Sequence, residues 1–419
     1  MSFKPLGEIV SVKGGKRLPK GSTLQEEPNS HPYIRVKDMG SRYIPRSGLE
    51  FVPEDVFPKI SRYTVNTNDV IISIVGTIGL ISVIDEFFDN ASQTENCAKL
   101  SGLDKVDALY LYYFLRSDIG QAEIKMGTVG AVQAKLPLYN IEKLNVYWPI
   151  RKIREKIVCQ LSTIDDKLEL NTQTNQTLEQ IAQAIFKSWF VDFDPVKAKM
   201  NGEQPNGMDT ATASLFPEKL VESELGLIPE GWQVGALSSV VDVVMGQSPK
   251  GSTYNDQNEG TPLVNGPVEF GVYHPVAQKW TTAPTKMSKN KDLIVCVRGS
   301  TTGRYVVSDG EYCLGRGVCS IRSNDFPSFA SYLFKSELNS LLHLTTGSTF
   351  PSWSGPTLKN FKVVVPPEAI IEKFELLIGK LCEMMARNIG QNETLSTLRD
   401  TLLPKLLSGE IDLNSEVVA

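Results

Sequence analysis

The chain has 419 residues, of which 41% are hydrophobic and 22% charged, and its formal net charge is −5. This composition is ordinary for a globular protein, and the length suffices for two to four domains, each with its own core. The sequence has no apolar run of about 18 residues that would span a membrane and no secretory signal. We therefore expect a cytoplasmic protein without membrane partners. The six cysteines and three histidines are scattered, which favours reduced thiols over disulfides or a metal site.

The first 149 residues predict a β-rich domain of short strands separated by turns. The run VIISIVG at 70–76 has the length and the apolar character of a buried strand. The segment LYLYYFLRS at 109–117 predicts a short helix, and the block closes at LNVYWP, where a last strand ends in proline.

A long helix is predicted next, over residues 150–194. From Ile157 to Trp189 the seam positions recur with alternating spacings of four and three, which is typical of a coiled coil. Asn171 and Asn175 occupy neighbouring seam positions near its middle, and polar seam residues fix register and orientation. The following residues, 195–230, are polar with scattered proline and glycine, and they predict a connector.

The same design returns about 217–231 residues later. The matching segments are LGEIVSVKGG at 6–15 with LSSVVDVVMG at 237–246, PKGS at 19–22 with 249–252, and DVIISIVG at 69–76 with DLIVCVRG at 292–299. A period this long indicates a duplicated domain and not a solenoid repeat. We predict a second β-rich domain over 231–367 and a second long helix over 368–419.

Together these elements predict the fold class. It is α+β, with two duplicated β-rich domains separated by two long helices that form an intramolecular antiparallel coiled coil, pseudo-twofold overall. Antiparallel pairing would bring Asn171 and Asn175 near Asn392 and Asn388, which occupy the same seam positions in the second helix. In the alternative, both asparagine pairs face solvent on separate amphipathic helices.

The duplication suggests a twofold ligand, and duplex DNA is the commonest such object. Residues 1–150 are electrically neutral and residues 226–366 carry +2, so the acidic excess lies in the helical parts. A DNA binder that acts alone is usually more basic. Either DNA is not the ligand, or partner subunits neutralise much of the phosphate charge.

Catalytic signatures are absent from the sequence. It contains no GxxxxGK[ST] phosphate loop, no GxGxxG after a strand and no Asn/Asp-Pro-Pro-aromatic motif for amine methylation. Asp38, Glu95 and Lys99 make no convincing nuclease set. We expect that the chain is not an enzyme by itself and holds no cofactor or metal.

Each β-rich domain offers polar residues on turn-like segments that suit contacts to base edges and phosphates. For any one of them an ordinary solvated side chain is the simpler explanation, and divergence after duplication would produce a similar set. Their recurrence at equivalent places nevertheless favours two DNA-reading surfaces. The candidates are Lys16, Arg17, Lys20, Lys37, Arg42, Thr128 and Gln133 in the first domain, and Gln247, Lys250, Ser252, Arg298, Arg304, Arg316, Ser348 and Trp353 in the second.

The end of the first long helix, AIFKSWFVDF, is unusually aromatic. Packing within the helix pair would explain this, but Trp and Phe also concentrate in protein interfaces. We predict a docking surface for a partner subunit at Phe186, Trp189 and Phe190, with Leu403 and Leu406 in the second helix.

In the order and duplication of its segments the chain resembles the DNA-specificity (S) subunits of type I restriction–modification systems. The resemblance rests on IPEGW at 228–232 followed by LSSVVDVVMGQSPKGS, on LEQIAQAIFKSWFVDFDPV at 178–196, and on TLRDTLLPKLLSGEI at 397–411. It covers nearly the whole chain, although the first copy lacks the Pro-x-Gly-Trp lead-in of the second.

The resemblance implies two target-recognition domains, each reading one half of a bipartite sequence in double-stranded DNA, with helices that set the spacer. It also implies two modification (methyltransferase) subunits that bring S-adenosylmethionine, and restriction (motor-nuclease) subunits that bring ATP and magnesium. A helix of about 37 residues would span roughly 55 Å, enough for half-sites about one DNA turn apart.

Two other functions compete with this one. A non-enzymatic scaffold whose duplicated domains bind proteins or glycans would be favoured by a genome neighbourhood without methyltransferase and nuclease genes. A single-chain restriction or methylation enzyme would need a catalytic motif that the sequence does not display.

Overall fold

The computed structural model describes residues 3–130, 132–347, 351–411 and 413. These residues form two compact units, the first within Met1–Leu170 and Asn392–Ala419 and the second within Asn171–Gln391. Each unit contains one β-rich copy together with part of two long helices, α4 (Arg151–Phe190) and α9 (Glu368–Ser408). The predicted α+β class with duplicated β-rich domains is confirmed.

The first unit carries short strands and helices around three small sheets. Its strands are β1 Phe3–Pro5, β2 Ser11–Gly14, β3 Pro32–Ile34, β4 Glu50–Phe51, β5 Val70–Ser73, β6 Ile81–Val83, β7 Ser92–Gln93, β8 Cys97–Ser101 and β9 Asn145–Tyr147, and its shorter helices are α1 Lys105–Arg116, α2 Asp118–Gly127 and α3 Leu138–Ile141. The main sheet is antiparallel in the order β2-β8-β5-β6, a second sheet has the order β4-β3-β7, and β1 pairs with β9.

The core of the first unit forms because α1 is apolar around most of its circumference. Its residues 108–115 are all buried, and they share one apolar cluster with the inner faces of β5 and β8. Asp104 starts this helix by accepting a hydrogen bond from the backbone N–H of Asp107 at 3.0 Å. Ile157 of α4 and Leu406 of α9 belong to the same cluster.

The second unit repeats this plan. Its strands are β10 Leu220–Ser223, β11 Gly226–Pro229, β12 Gln233–Ala236, β13 Asp242–Met245, β14 Tyr254–Asn255, β15 Thr261–Val264, β16 Lys279–Thr281, β17 Leu293–Cys296, β18 Tyr305–Val307, β19 Cys313–Leu314, β20 Val318–Arg322 and β21 Lys362–Val365, and its shorter helices are α5 Asp194–Met200, α6 Thr210–Ala213, α7 Pro327–His343 and α8 Gly355–Lys359. The main sheet has the order β13-β20-β17-β18, a second has β14-β16-β15-β19, and β12 pairs with β21.

The polar stretch 195–230 is ordered within this unit. It contains α5, α6 and the hairpin of β10 and β11, and it buries Phe216 and Ile228 in the unit's main apolar cluster. The ring of Phe216 packs edge-on against Trp189 of α4, with 5.5 Å between the ring centroids. The sequence did not predict these elements, because their few apolar residues follow no period.

In the second unit, the seam of α4 and α9 is closed by amides as well as by apolar side chains. Asn175 is 1% exposed, and its side-chain amide donates to the carbonyl of Met385 at 3.1 Å. Its side-chain oxygen accepts from Asn388 Nδ2 at 2.8 Å, and Asn171 donates to Gln391 Oε1 at 2.8 Å. Asn175 thus contacts residues 385 and 388 of α9, and Asn171, which precedes it, contacts the later residue 391. The two helices therefore run antiparallel.

The same order holds in the first unit. Asn392 donates to the backbone carbonyl of Leu168, and Arg399 lies 3.1 Å from the carboxylate of Asp165. Asp165 is buried, and its other oxygen accepts from the hydroxyl of Tyr113 at 2.9 Å. The predicted antiparallel pairing, with the asparagines at the seam and not in solvent, is therefore confirmed.

We predict that Asn175→Leu destabilises the protein, because it removes a buried amide and leaves the partly buried amide of Asn388 without its acceptor, at a cost of about 1–3 kcal/mol. Adding Asn388→Leu should recover most of the loss, since both polar partners are then replaced by apolar groups. The measurement is the denaturant midpoint of helix unfolding by circular dichroism. Gln176→Leu, on the exposed face of α4, is the control. A double variant that loses the sum of both single effects would contradict this pairing.

Candidate nucleic-acid interface

Four of the seven candidate residues of the first unit, Lys16, Arg17, Lys20 and Gln133, lie at one end of its main sheet. Gly14, Ser73 and Ala98 lie at this end, where β2 and β5 stop and β8 starts. The loops that leave it are 15–22, 74–80 and 94–96. The described residues of 129–135 join them through an antiparallel bridge between Val75 and Lys135. We call these four loops the first loop end.

The second unit has an equivalent surface at the same end of its main sheet. Here β13 and β17 stop and β20 starts, and the loops are 246–252, 297–304 and 315–317. The described part of 346–352 joins them through a bridge between Arg298 and Ser352, and Gly299 donates to the carbonyl of Pro351 at 2.9 Å. We call these loops the second loop end.

A glycine fixes the geometry of each loop end by close approach. A Cβ built on Gly15 would lie 2.1 Å from the carbonyl oxygen of Thr94, and one on Gly246 would lie 2.1 Å from that of Gly315. No larger residue fits without moving backbone. Each glycine thus holds two backbone segments together. One is the loop after the edge strand, β2 or β13, and the other is the turn before the neighbouring central strand, β8 or β20.

The first loop end presents most of the predicted residues to solvent. Lys16, Arg17, Lys20 and Gln133 are exposed. The Nζ of Lys16 lies 5.7 Å from the ring centroid of Tyr63, and Arg17 pairs with Glu95 at 2.8 Å.

Beneath this surface, Tyr33 donates from its hydroxyl to the carbonyl of Lys16 at 3.0 Å. Burial raises the pKa of Tyr33, so its hydroxyl keeps the proton that this bond needs. Thr128 is half-buried, and its hydroxyl donates to the carbonyl of Ile124 at 2.8 Å, a bond within the end of α2.

The second loop end carries more positive charge. Its exposed candidates are Gln247, Lys250, Ser252, Arg298, Arg304 and Arg316. None of the three arginines forms an ion pair with another of the described residues. Ser348 lies outside the described residues.

Trp353 is corrected from a surface residue to a core residue. It is 3% exposed, its indole N–H donates to the carbonyl of Leu341 at 2.8 Å, and its ring packs edge-on against Phe334. The buried acceptor satisfies the one polar atom of the side chain, which leaves nothing for DNA.

Two charged candidates also lie elsewhere. The Arg42 side chain is 9% exposed and pairs with Asp166 and Glu169 of α4, at the far end of the sheet from the loop end. Its charge is already neutralised, so Arg42 leaves the candidate interface. Lys37 is exposed, lies 3.6 Å from Glu50 and is not part of the four loops.

The predicted docking residues are mostly internal, which corrects that prediction. Phe186, Trp189 and Phe190 are at most 8% exposed and pack around Phe374 in the core of the second unit. Leu406 is 1% exposed in the core of the first unit. Leu403 is half-buried against that core. Buried side chains leave no surface on which a partner could dock.

Sequence reasoning missed Lys135, which is exposed at the first loop end. In the structure it occupies the position of Ser352 in the second unit, since Lys135 forms a bridge with Val75 and Ser352 forms one with Arg298. The sequence match between the two segments did not align these two residues. Across the described ranges, acidic, cysteine and histidine side chains nowhere gather in a group of three that could ligate a metal ion. No helix in the described ranges has an apolar stretch of membrane-spanning length.

Comparisons with known proteins agree with this organisation. A sequence profile of the family described as "Type I restriction modification DNA specificity domain" matches residues 1–180 and 229–374. The chain is 28% identical to the Type I restriction enzyme HindI specificity subunit of Haemophilus influenzae, over 69% of this chain and 73% of that protein. It is 24% identical to the Type I restriction enzyme MjaIX specificity subunit of Methanocaldococcus jannaschii, over 97% and 93%.

Among solved structures, the type I restriction–modification S subunit from M. genitalium has a similar fold. The TM-score is 0.57 at 15% sequence identity, and the match covers 97% of this chain and 95% of that one. Since the family profile matches both copies, this chain belongs to the family of type I restriction modification DNA specificity domains.

We predict that Gly246→Ala lowers stability by about 1–3 kcal/mol, because the new methyl group must push apart the loop and turn that it separates. The same change should weaken DNA binding, since it displaces the second loop end. Gly251→Ala is the matched control, because nothing lies within 4 Å of a Cβ built there. Thermal unfolding measures the effect, and equal melting temperatures for the two variants would disprove the close-approach role.

Proposed function

We propose that this chain is the DNA sequence-specificity subunit of a type I restriction–modification complex. In this proposal each β-rich domain reads one half of a bipartite target in double-stranded DNA. The observation that carries it is the recurrence of the loop end: the same sheet frame and the same glycine contact present different exposed side chains in the two copies. A fixed frame with divergent polar loops suits two readers of different sequences.

We assign the recognition domains to residues 1–149 and 231–367, with helical spacers at 150–194 and 368–419 and a connector at 195–230. α4 and α9 have 40 and 41 residues, or about 60 Å each at 1.5 Å per residue. We infer that their length sets the number of base pairs between the half-sites. The asparagine pairs support this role, because polar seam contacts hold one register.

The charge of the chain supports action within a complex. With a net charge of −5, the isolated chain should bind DNA weakly, since phosphate neutralisation supplies most non-specific affinity. We propose that two modification subunits add positive surface and S-adenosylmethionine, and that restriction subunits add ATP and magnesium. The cytoplasmic location belongs to the same proposal.

A docking surface for these partners has to use exposed side chains. In the first unit Leu170 of α4 and Leu398 of α9 are 55% and 45% exposed, and in the second unit Ile181 of α4 and Leu376 of α9 are 44% and 64% exposed. Exposed aliphatic side chains on long helices are suitable contacts for partner helices. We propose these residues in place of the buried aromatic cluster.

The first experiment is methylome sequencing of cells that carry this gene with the gene of its modification subunit, against a deletion of this gene alone. We expect a split adenine-methylation motif with a fixed gap to disappear on deletion. An unchanged methylome in cells that express both proteins would refute the proposal and favour the protein- or glycan-binding scaffold.

We predict that exchanging residues 1–149 for the matching block of a family member with another target changes only one half of the methylated sequence. Each loop end would read independently, so the other half and the gap should stay the same. Methylome sequencing of the chimaera measures both halves at once. A change in both halves would contradict the two-reader assignment.

We further predict that Lys250→Gln lowers the affinity of the assembled complex uniformly across DNA sequences. If this lysine contacts a phosphate, the slope of log K against log salt should fall by about 0.9. Lys289→Gln is the control, since this exposed lysine precedes β17 at the opposite end of the sheet. An unchanged salt slope would remove Lys250 from the phosphate contacts.

A further inference from the structure

The turn before the central strand of the main sheet is built identically in the two domains. In the first domain Thr94, Glu95 and Asn96 connect β7 to β8, and in the second Gly315, Arg316 and Gly317 connect β19 to β20. Both turns have three residues, and both follow a strand that pairs in parallel with its neighbour. Glu95 and Arg316 therefore occupy the same position.

The backbone hydrogen bonds around the two turns confirm this equivalence. The residue before each turn accepts from the loop after the edge strand, with Lys16 N to Gln93 O at 2.9 Å and Gln247 N to Leu314 O at 2.8 Å. The carbonyl of the last turn residue accepts from the residue after β5 or β17. These bonds run from Ile74 N to Asn96 O at 2.8 Å and from Val297 N to Gly317 O at 2.9 Å.

A second position faces the turn in each domain. Arg17 contacts Glu95 through its side chain at 2.8 Å, and the equivalent Ser248 accepts from the backbone N–H of Arg316 at 3.4 Å. The backbone arrangement is thus the same in the two domains, but the side chains differ. The first domain has Arg17 and Glu95 at these two positions, and the second has Ser248 and Arg316. The charge at the turn position is reversed between the domains.

We propose that this turn position determines the base read at one place in each half-site: guanine by Arg316 in the second domain, and cytosine or adenine, whose amino group lies in the major groove, by Glu95 in the first. This inference rests on the proposed function and identifies residues within it. The chemistry follows from the major-groove edges, where guanine offers the two acceptors O6 and N7, while cytosine and adenine offer amino donors.

Arg316 is prepared for a bidentate contact. Its side chain is exposed and has no ion-pair partner among the described residues, so no competing carboxylate has to be displaced. The flanking glycines press against Asn265, since Cβ atoms built on Gly315 and Gly317 would lie 1.8 Å and 2.1 Å from its oxygens. This packing fixes the turn and lowers the entropy lost on binding.

Glu95 is a hydrogen-bond acceptor, so it suits an amino donor on a base. A carboxylate near DNA is repelled by the phosphates unless a cation accompanies it, and Arg17 provides that cation. One carboxylate oxygen contacts Arg17, and the other accepts from the hydroxyl of Thr94 at 3.3 Å. The Glu95 side chain is 32% exposed, so it remains accessible to an amino group.

The test is methylome sequencing of cells in which the complete complex carries Arg316→Gln or Glu95→Gln, which identifies the DNA sequence that each variant methylates. With Arg316→Gln we expect guanine to be replaced or relaxed at one position of the second half-site. With Glu95→Gln we expect the same at one position of the first half-site, and the wild-type base there distinguishes cytosine from adenine. Discrimination at each position should fall by about 5- to 150-fold.

The controls separate reading from folding and from charge. Arg316→Lys keeps the charge but loses the bidentate geometry, so it should also relax the guanine position. Asp85→Asn alters the Arg46–Asp85 pair at the far end of the first sheet and should change neither half-site. The melting temperature of each purified variant shows whether it folds.

Two results would overturn the inference. One is folded variants that write the wild-type sequence with unchanged fidelity. The other is variants that lower methylation uniformly without changing any base, which would make both residues phosphate contacts. Either result would leave the specificity-subunit proposal standing, because that proposal fails only if methylation does not depend on the chain at all.

Discussion

The candidate interface depends on one steric constraint, the contact of a glycine with the turn before the central strand. Gly15 and Gly246 bring two backbone segments closer than any side chain permits, and backbone hydrogen bonds join the same segments beside each contact. The loops after the edge strands therefore start from fixed points. Because backbone atoms carry this constraint, the exposed side chains can differ between the copies without disturbing the sheet.

The helices show how far sequence patterning reaches. The four-three spacing and the paired asparagines were enough to predict an antiparallel pair, because a seam repeat has one buried face. The hydrogen bond between Asn175 and Asn388 lies where the seam pattern predicts it. The contacts of Asn392 with the carbonyl of Leu168 and of Asn171 with Gln391 were not predictable, because one uses a backbone atom and the other a residue outside the seam positions. Asp165 with Arg399 and Tyr113 is likewise a network of residues far apart in sequence.

At the candidate site, sequence reasoning identified the loops better than the individual residues. Recurrence of PKGS-like turns pointed to the same end of the main sheet in both units, since equivalent turns follow equivalent strands. It failed where a side chain had a distant partner. Arg42 looked like a surface cation, yet it is neutralised by carboxylates of α4. Trp353 looked exposed in a glycine- and serine-rich loop, yet a backbone acceptor on α7 satisfies its indole. Neither partner lies close enough in sequence to be inferred.

The charge at the turn position can be reversed between the two domains because backbone atoms, and not the side chain at that position, hold the turn in place. Glu95 pairs with Arg17, whereas Arg316 lies on equivalent backbone hydrogen bonds with Ser248 beside it. The stability of each domain is therefore carried by the sheet, the glycine contact and the apolar core, and little of it by the residue at the tip. A surface residue that makes few structural contacts can be substituted with little loss of folding stability. Two copies of one domain can come to prefer different DNA sequences only if the residues that contact the bases can be substituted in this way.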